Sequence, residues 1–217
     1  MVTKRNKNSK KIIDRLRLKN ERVFSKEEIF EIVREYEKIY KKKVNLISLW
    51  TYLRKDNYIK RILGDYYYVY SLEERYNKYC KLSEEELVFL VLEKMNVKWY
   101  LGFESALKKN KISWQALNVI TIINNHFSGI KKLGNSKFKF IKTKDKRFSF
   151  GLIEEKTNNQ VKYLYSDLEK TYLDFLHFHS YQGKNIEDIK RGLDFEVKKN
   201  KLLEYAKNYS KRVRGAV

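Results

Sequence analysis

Few residues in this chain combine type and spacing suited to chemistry. Asp145 followed by Glu154-Glu155-Lys156 has the D…E-x-K order. In that pattern two carboxylates bind Mg²⁺ and a lysine assists a water nucleophile. With 19 Glu and 36 Lys in the chain, E-x-K triplets arise by chance, and this one precedes a loop where charges are solvated. The histidines are His126, His177 and His179. The last two are two apart on a predicted helix and therefore point to opposite sides, which prevents joint chelation. Cys80 is the single cysteine, so neither a disulfide framework nor a multi-cysteine zinc site can form. No GxxxxGK[ST] or GxGxxG phosphate loop occurs. The sequence thus predicts no catalytic residue, no metal and no cofactor.

Binding chemistry has more to work with. The chain has 217 residues, a net charge of +21, 15% aromatic residues and no proline. Such charge attracts polyanions, nucleic acid before an anionic membrane surface. Abundant Lys, Asn, Ile and Tyr also fit an AT-rich coding bias, which raises lysine without selection for binding. The charge is uneven. Residues 1–22 hold nine Lys/Arg against two acids, and residues 129–147 hold eight against one. No apolar run is long enough for a membrane-spanning helix, and no secretory signal is visible. Together with the lone cysteine, this gives a cytoplasmic expectation.

The elements that would position a binding surface are legible in the first third. Lys10–Asn20 reads as a short amphipathic helix. Ser25 and Glu28 form a capping box, with Phe24 and Ile29 as hydrophobic staple, and start a helix reaching Tyr40. Asn45 caps a third helix to about Asp56. Tyr58–Leu63 and Tyr66–Tyr70 flank Gly64-Asp65, the signature of a tight type II′ hairpin. Three helices followed by a hairpin is the order of a winged helix-turn-helix. On the third helix Leu46, Leu49, Trp50 and Leu53 form the inward stripe. Ser48, Thr51 and Lys55 face away, flanked by Tyr52 and Arg54, groups suited to base edges and phosphates in a major groove. Lys41, Lys42, Lys43 and Asn45 precede this helix, and Lys60 and Arg61 lie on the hairpin. All eleven are candidate DNA contacts.

The polar stretch Ser71–Lys81 is the expected boundary, giving domains 1–78 and 79–217. The larger domain reads as α+β with a small, mostly antiparallel sheet. Leu82–Glu86 opens a helix to about Met95 that is apolar nearly all round, the expected centre of this domain. Trp99–Asn110 reads as a further helix. Strands are expected over 119–123, 130–133, 137–142, 147–154 and 161–165. Ser166-Asp167-Leu168-Glu169 reads as another capping box. Final helices are expected near 186–193 and 202–213. Phe138 and Phe140 alternate with Lys137 and Lys139, a strand with one cationic face.

Trp99-Tyr100-Leu101-Gly102-Phe103-Glu104-Ser105-Ala106-Leu107 resembles a motif of the AbiEi-type antitoxins, the regulator halves of type IV toxin–antitoxin pairs. Ser113-Trp114-Gln115 with Val119–Ile122 is similar to that family's polar turn and apolar strand. Ser166, Glu169, Lys170, Thr171 and Asp174 match its later helix start, with Asp167 where the family usually has proline. The resemblance spans residues 20–180. It implies a winged-helix domain that binds inverted repeats in its own promoter, and a C-terminal domain that counters a nucleotidyltransferase toxin. Tyr100, Gly102 and Ser105 would be motif or partner residues with the later five. Read from the residues alone, Gly102 and Ser105 suit close packing, and Lys170/Asp174 is an i, i+4 pair. The expected function is a non-enzymatic, autoregulating DNA-binding regulator acting on duplex DNA, with a homodimer on the operator among its expected forms. The competing readings are a basic RNA-binding or scaffold protein and a stand-alone transcription factor.

Overall fold

The computed structural model describes residues 4–19, 21–113 and 118–217. The fold is α+β, and the chain divides into two compact units at Lys94/Met95. Among the described residues no helix is long and apolar enough to cross a membrane.

The first unit runs α1 (Lys4–Leu18), β1 (Val23–Ser25), α2 (Lys26–Tyr40), α3 (Leu46–Lys55), β2 (Ile59–Leu63), β3 (Tyr66–Val69), α4 (Leu72–Tyr76) and α5 (Glu84–Lys94). Both bonds of the Ser25/Glu28 capping box form, and Asn45 accepts the Ser48 amide at the start of α3. The hairpin closes with Leu63 opposite Tyr66, and Gly64 takes a left-handed φ of 55°. That conformation suits glycine. The three-residue β1 was not expected. It pairs antiparallel with β3 and completes a sheet in the order β1-β3-β2. Ile12, Ile13, Leu16, Ile29, Val33, Tyr36, Leu49 and Leu53 close the core between the three helices and one sheet face. Leu46, expected in this stripe, is 43% exposed at the first turn of α3.

The expected boundary within Ser71–Lys81 does not hold. Ser71-x-x-Glu74 is itself a capping box that starts α4, and Glu74 also accepts the Tyr68 hydroxyl and the Lys81 amide. These bonds anchor the stretch to the sheet. Nor is α5 the centre of the second unit. It packs on β1 and β2, and Lys94 at its end pairs with Glu21 and Glu28.

The second unit comprises β4 (Trp99–Leu101), α6 (Phe103–Lys109), β5 (Ile120–Asn124), β6 (Gly129–Leu133), β7 (Ser136–Lys142), a 3₁₀ turn (Asp145–Phe148), β8 (Leu152–Lys156), β9 (Lys162–Ser166), α7 (Leu168–Tyr181), α8 (Ile186–Arg191), α9 (Lys199–Ala206) and α10 (Lys211–Arg214). Its sheet has six strands in the order β6-β7-β5-β4-β9-β8. It is larger than expected and mixed. The β7/β5 and β4/β9 pairs are parallel, and the other three are antiparallel. Two expected helix starts move. Trp99–Leu101, three residues with β preference, form a strand, so the predicted helix begins only after Gly102. Ser166 ends β9, and Asp167 caps α7 by accepting the Lys170 amide at 2.8 Å. The residue standing where the family has proline is therefore a working cap. The expected turn at Trp114-Gln115 lies outside the described residues.

Gly102 is an N-cap in extended conformation, and a Cβ there would stand 2.5 Å from Ile123 Cδ1. What a Cβ would meet is the end of the Ile123 side chain, which must shift to admit it, and not another backbone. Gly102→Ala should destabilise the second unit by about 1–3 kcal/mol through overpacking. Urea unfolding of the variant checks this, and Gly102→Ala with Ile123→Val should recover part of the loss.

Candidate nucleic-acid interface

In the first unit, α3 is held by Leu49 and Leu53, both buried, while Trp50 packs edge-on against Tyr67 and Phe30. This fixes the helix's rotation. Ser48, Thr51, Arg54 and Lys55 are all exposed, as are Lys41, Lys42, Lys43 and Asn45 ahead of them. Arg54 and Lys55 make no ion pair among the described residues, so their charge is available to a ligand. Thr51 Oγ1 donates to the Ile47 carbonyl at 2.9 Å. Its methyl and acceptor lone pairs remain on the surface. The Asn45 side-chain oxygen is committed to the Ser48 amide at 2.9 Å, so Asn45 positions the helix.

Three expected contacts are placed differently. Tyr52 is half-buried, and its hydroxyl hydrogen-bonds Tyr58 at 2.8 Å, with burial and that bond raising its pKa. It braces the helix from inside. Lys60 is opposite Tyr68 on the sheet face away from the helical core, half-buried beside Cys80. Arg61 lies opposite Tyr67 on the α3 side, but its Nε donates to the Gly64 carbonyl at 2.6 Å and Nη2 is 3.6 Å from Asp65. It holds the hairpin tip. The N-terminal segment is likewise not a free arm over α1. Lys11 and Arg15 lie over the Tyr40 ring, Arg15 also over Tyr36, and Arg17 donates to the Tyr70 carbonyl.

Ile47 was missed. It is 81% exposed on the same face as Thr51 and Arg54. Its place one turn before Thr51, outside the apolar stripe, was the available signal, and an exposed isoleucine is suited to thymine methyls.

In the second unit the family-motif residues converge, but inside the protein. Asp174, fully buried, accepts from Tyr100 at 2.8 Å, Tyr209 at 2.7 Å and Arg147 at 3.1 Å, with Lys170 Nζ at 3.8 Å. Lys170 Nζ is buried between the rings of Tyr100 and Phe150, with no hydrogen-bond partner among the described residues. Burial lowers the Lys170 pKa, with Asp174 opposing, and burial followed by the Asp174 charge raises those of Tyr100 and Tyr209. Ser166 and Thr171 share a hydrogen bond of 2.6 Å, and Ser105 Oγ accepts the Thr121 amide. Glu169 accepts the Lys198 amide and pairs with Lys201. All eight are packing and network residues. Arg147 and Tyr209 belong to the same network and were not singled out, because neither carries a local motif.

The D…E-x-K residues are not assembled. Asp145 accepts from Asn125 and faces Lys98, beside the ends of β4 and β5. Glu154 pairs with Lys162 on edge strand β8, two strands from β4. Each carboxylate thus has a lysine of its own, Lys98 for Asp145 and Lys162 for Glu154. Among the described residues no group of three His, Cys, Asp or Glu could hold a metal.

No protein-family model matches the chain, and no curated protein matches it significantly.

Proposed function

We propose that the first unit is a winged helix-turn-helix domain that binds duplex DNA, with α3 in the major groove. The observation that carries this reading is the outward face of α3. Ile47, Ser48, Thr51, Arg54 and Lys55 are exposed together on a helix whose rotation is fixed by its buried side, and its two cations make no ion pair among the described residues. Support comes from the order α1-β1-α2-α3-β2-β3 with sheet order β1-β3-β2. Ile47 and Thr51 supply apolar and polar base contacts, while Lys41–Lys43, Arg54 and Lys55 meet phosphates. Two copies on an inverted repeat, with half-sites about 34–36 Å apart, complete the arrangement. On the second unit, Lys137 and Lys139 share an exposed strand face. That face meets a polyanion or an acidic partner of its own, while Lys142 lies on the other side of the strand.

The test is a binding series on the DNA upstream of the protein's own gene. Thr51→Ala should cost about 1–3 kcal/mol on the preferred site and little on random DNA. Lys55→Ala should weaken both alike. If both variants bind with unchanged affinity and sequence preference, α3 is not the reading helix, and the basic-scaffold or RNA-binding reading takes its place.

The regulator is further proposed to be an antitoxin of the AbiEi type, a reading that rests on the Tyr100–Leu107 and Ser166–Asp174 motifs. It expects a neighbouring nucleotidyltransferase gene whose expression arrests growth and whose effect this chain relieves. Without such a neighbour, the stand-alone transcription factor remains.

A further inference from the structure

The second unit has an open cleft of about 590 Å³, within the range of about 300–1,000 Å³ typical of ligand sites. One wall is the segment that leaves β7, with Lys142, Lys144, Lys146 and Arg147. The other walls are the last turns of α7 and the segment joining α9 to α10. Among the described residues no Asp or Glu lines the cleft. Its potential is therefore positive, although Asp174 balances Arg147 from beneath. The opposite wall is aromatic. The His177 ring lies 4.6 Å from that of Tyr181 and 5.9 Å from that of Tyr209. Tyr181 is 73% exposed, a large ring that touches the protein at His177 and leaves most of its surface open at the mouth. His177 Nδ1 is buried and has no hydrogen-bond partner among the described residues.

A cationic wall facing a ring wall matches two halves of one ligand. We propose that this cleft binds a nucleotide, with the phosphoryl group on Lys144, Lys146 and Arg147 and the base against Tyr181 and His177. Base stacking on aromatic side chains and cationic tracking of phosphate are the general means by which unpaired nucleotides are held. A paired base inside a duplex offers no free face to Tyr181, so this site is separate from the α3 surface and does not rest on it. The ligand is either a free mononucleotide or the terminal nucleotide of a single strand. His177 reports on occupancy. Burial, then the charges of Arg147, Lys146 and Lys144, lower its pKa to about 4, with Asp174 opposing. A bound phosphate dianion counters the nearby cations and raises it.

The experiment titrates the full chain with adenosine 5′-monophosphate, inorganic phosphate and 5′-phosphorylated pentathymidine, by calorimetry and by NMR of the His177 ring nitrogens. Tyr181→Ala should weaken the monophosphate about tenfold or more and leave inorganic phosphate nearly unchanged. Lys144→Ser/Lys146→Ser should weaken all three. These side chains are exposed, so the variants keep the fold, and Thr51→Ala/Lys55→Ala should leave monophosphate binding as it is. Pentathymidine binding tighter than the monophosphate, with the same dependence on Tyr181, identifies a strand terminus. The reverse order identifies a free nucleotide. The proposal is overturned if neither nucleotide probe binds better than inorganic phosphate, if the variants change nothing, or if the His177 signals do not move.

Discussion

Asp174→Asn should cost the second unit about 3–5 kcal/mol, the loss expected when one partner of a buried ion pair is removed. The carboxylate accepts from Arg147, Tyr100 and Tyr209, and among the described residues it is the anion paired with Lys170. An amide of the same shape leaves the guanidinium, 4% exposed, without a counter-charge. Hydrogen exchange at α7 amides reads this unit separately from the first. Lys170→Met should behave in the opposite way. Nζ makes no hydrogen bond, methionine fills the same space between the Tyr100 and Phe150 rings, and Arg147 still balances Asp174. The variant should be neutral or more stable at pH 7. The sign of the pH dependence follows from the lowered Lys170 pKa. Below its folded pKa the lysine is charged in both states, and the wild type bears the whole cost of burying that charge. As pH rises towards the unfolded value of about 10.4, the folded state gives up its proton first, so the wild type gains stability on Lys170→Met. In a double-mutant cycle, Lys170→Met should recover part of the Asp174→Asn loss. A loss below about 1 kcal/mol for Asp174→Asn would mean the network contributes little.

What could be read from sequence follows the range of the forces involved. The starts of α2 and α3 were legible because a capping box and an asparagine cap act over three residues, and such bonds do not depend on the rest of the chain. The hairpin was legible because Gly64-Asp65 punctuates two β-rich runs. β1 was not, since Val23-Phe24-Ser25 is too short to show a period and exists only because β3 offers an edge. The Ser71/Glu74 box carries the same local signal as Ser25/Glu28, and reading the polar stretch as a domain boundary hid it. Lys170 and Asp174 show how spacing falls short. Their i, i+4 separation promises a contact but not its burial, and burial turns a surface pair worth a few tenths of a kcal/mol into one whose desolvation cost can exceed its attraction. The partners that decide the matter, Arg147 and Tyr209, are brought in by tertiary structure alone. Around α3, composition gave the charge but not which charges are free. Tyr52, Lys60 and Arg61 looked as available as Arg54 and Lys55 until their internal partners and strand faces were known.

That distinction sets the size of the salt effect. Exposed Lys41, Lys42, Lys43, Arg54 and Lys55 have no ion pair to break among the described residues, whereas Arg61 already has Asp65 and the Gly64 carbonyl. Five phosphate contacts per protomer give a slope of log affinity against log salt near −4.5, at about −0.9 per phosphate. Between 50 and 200 mM salt, affinity for duplex DNA should then fall about 500-fold per bound protomer. Fluorescence anisotropy at four or five salt concentrations measures the slope. Arg54→Ala and Lys55→Ala should each flatten it by about one unit. Arg61→Ala should leave it unchanged and act instead on the hairpin tip. The comparison separates positions, not just total charge. A diffuse attraction driven by the net charge of +21 would lose a similar small amount whichever of the three arginines and lysines is removed. A flatter slope for Arg61→Ala than for Arg54→Ala would transfer the phosphate contact from the helix to the hairpin and displace α3 from the proposed interface.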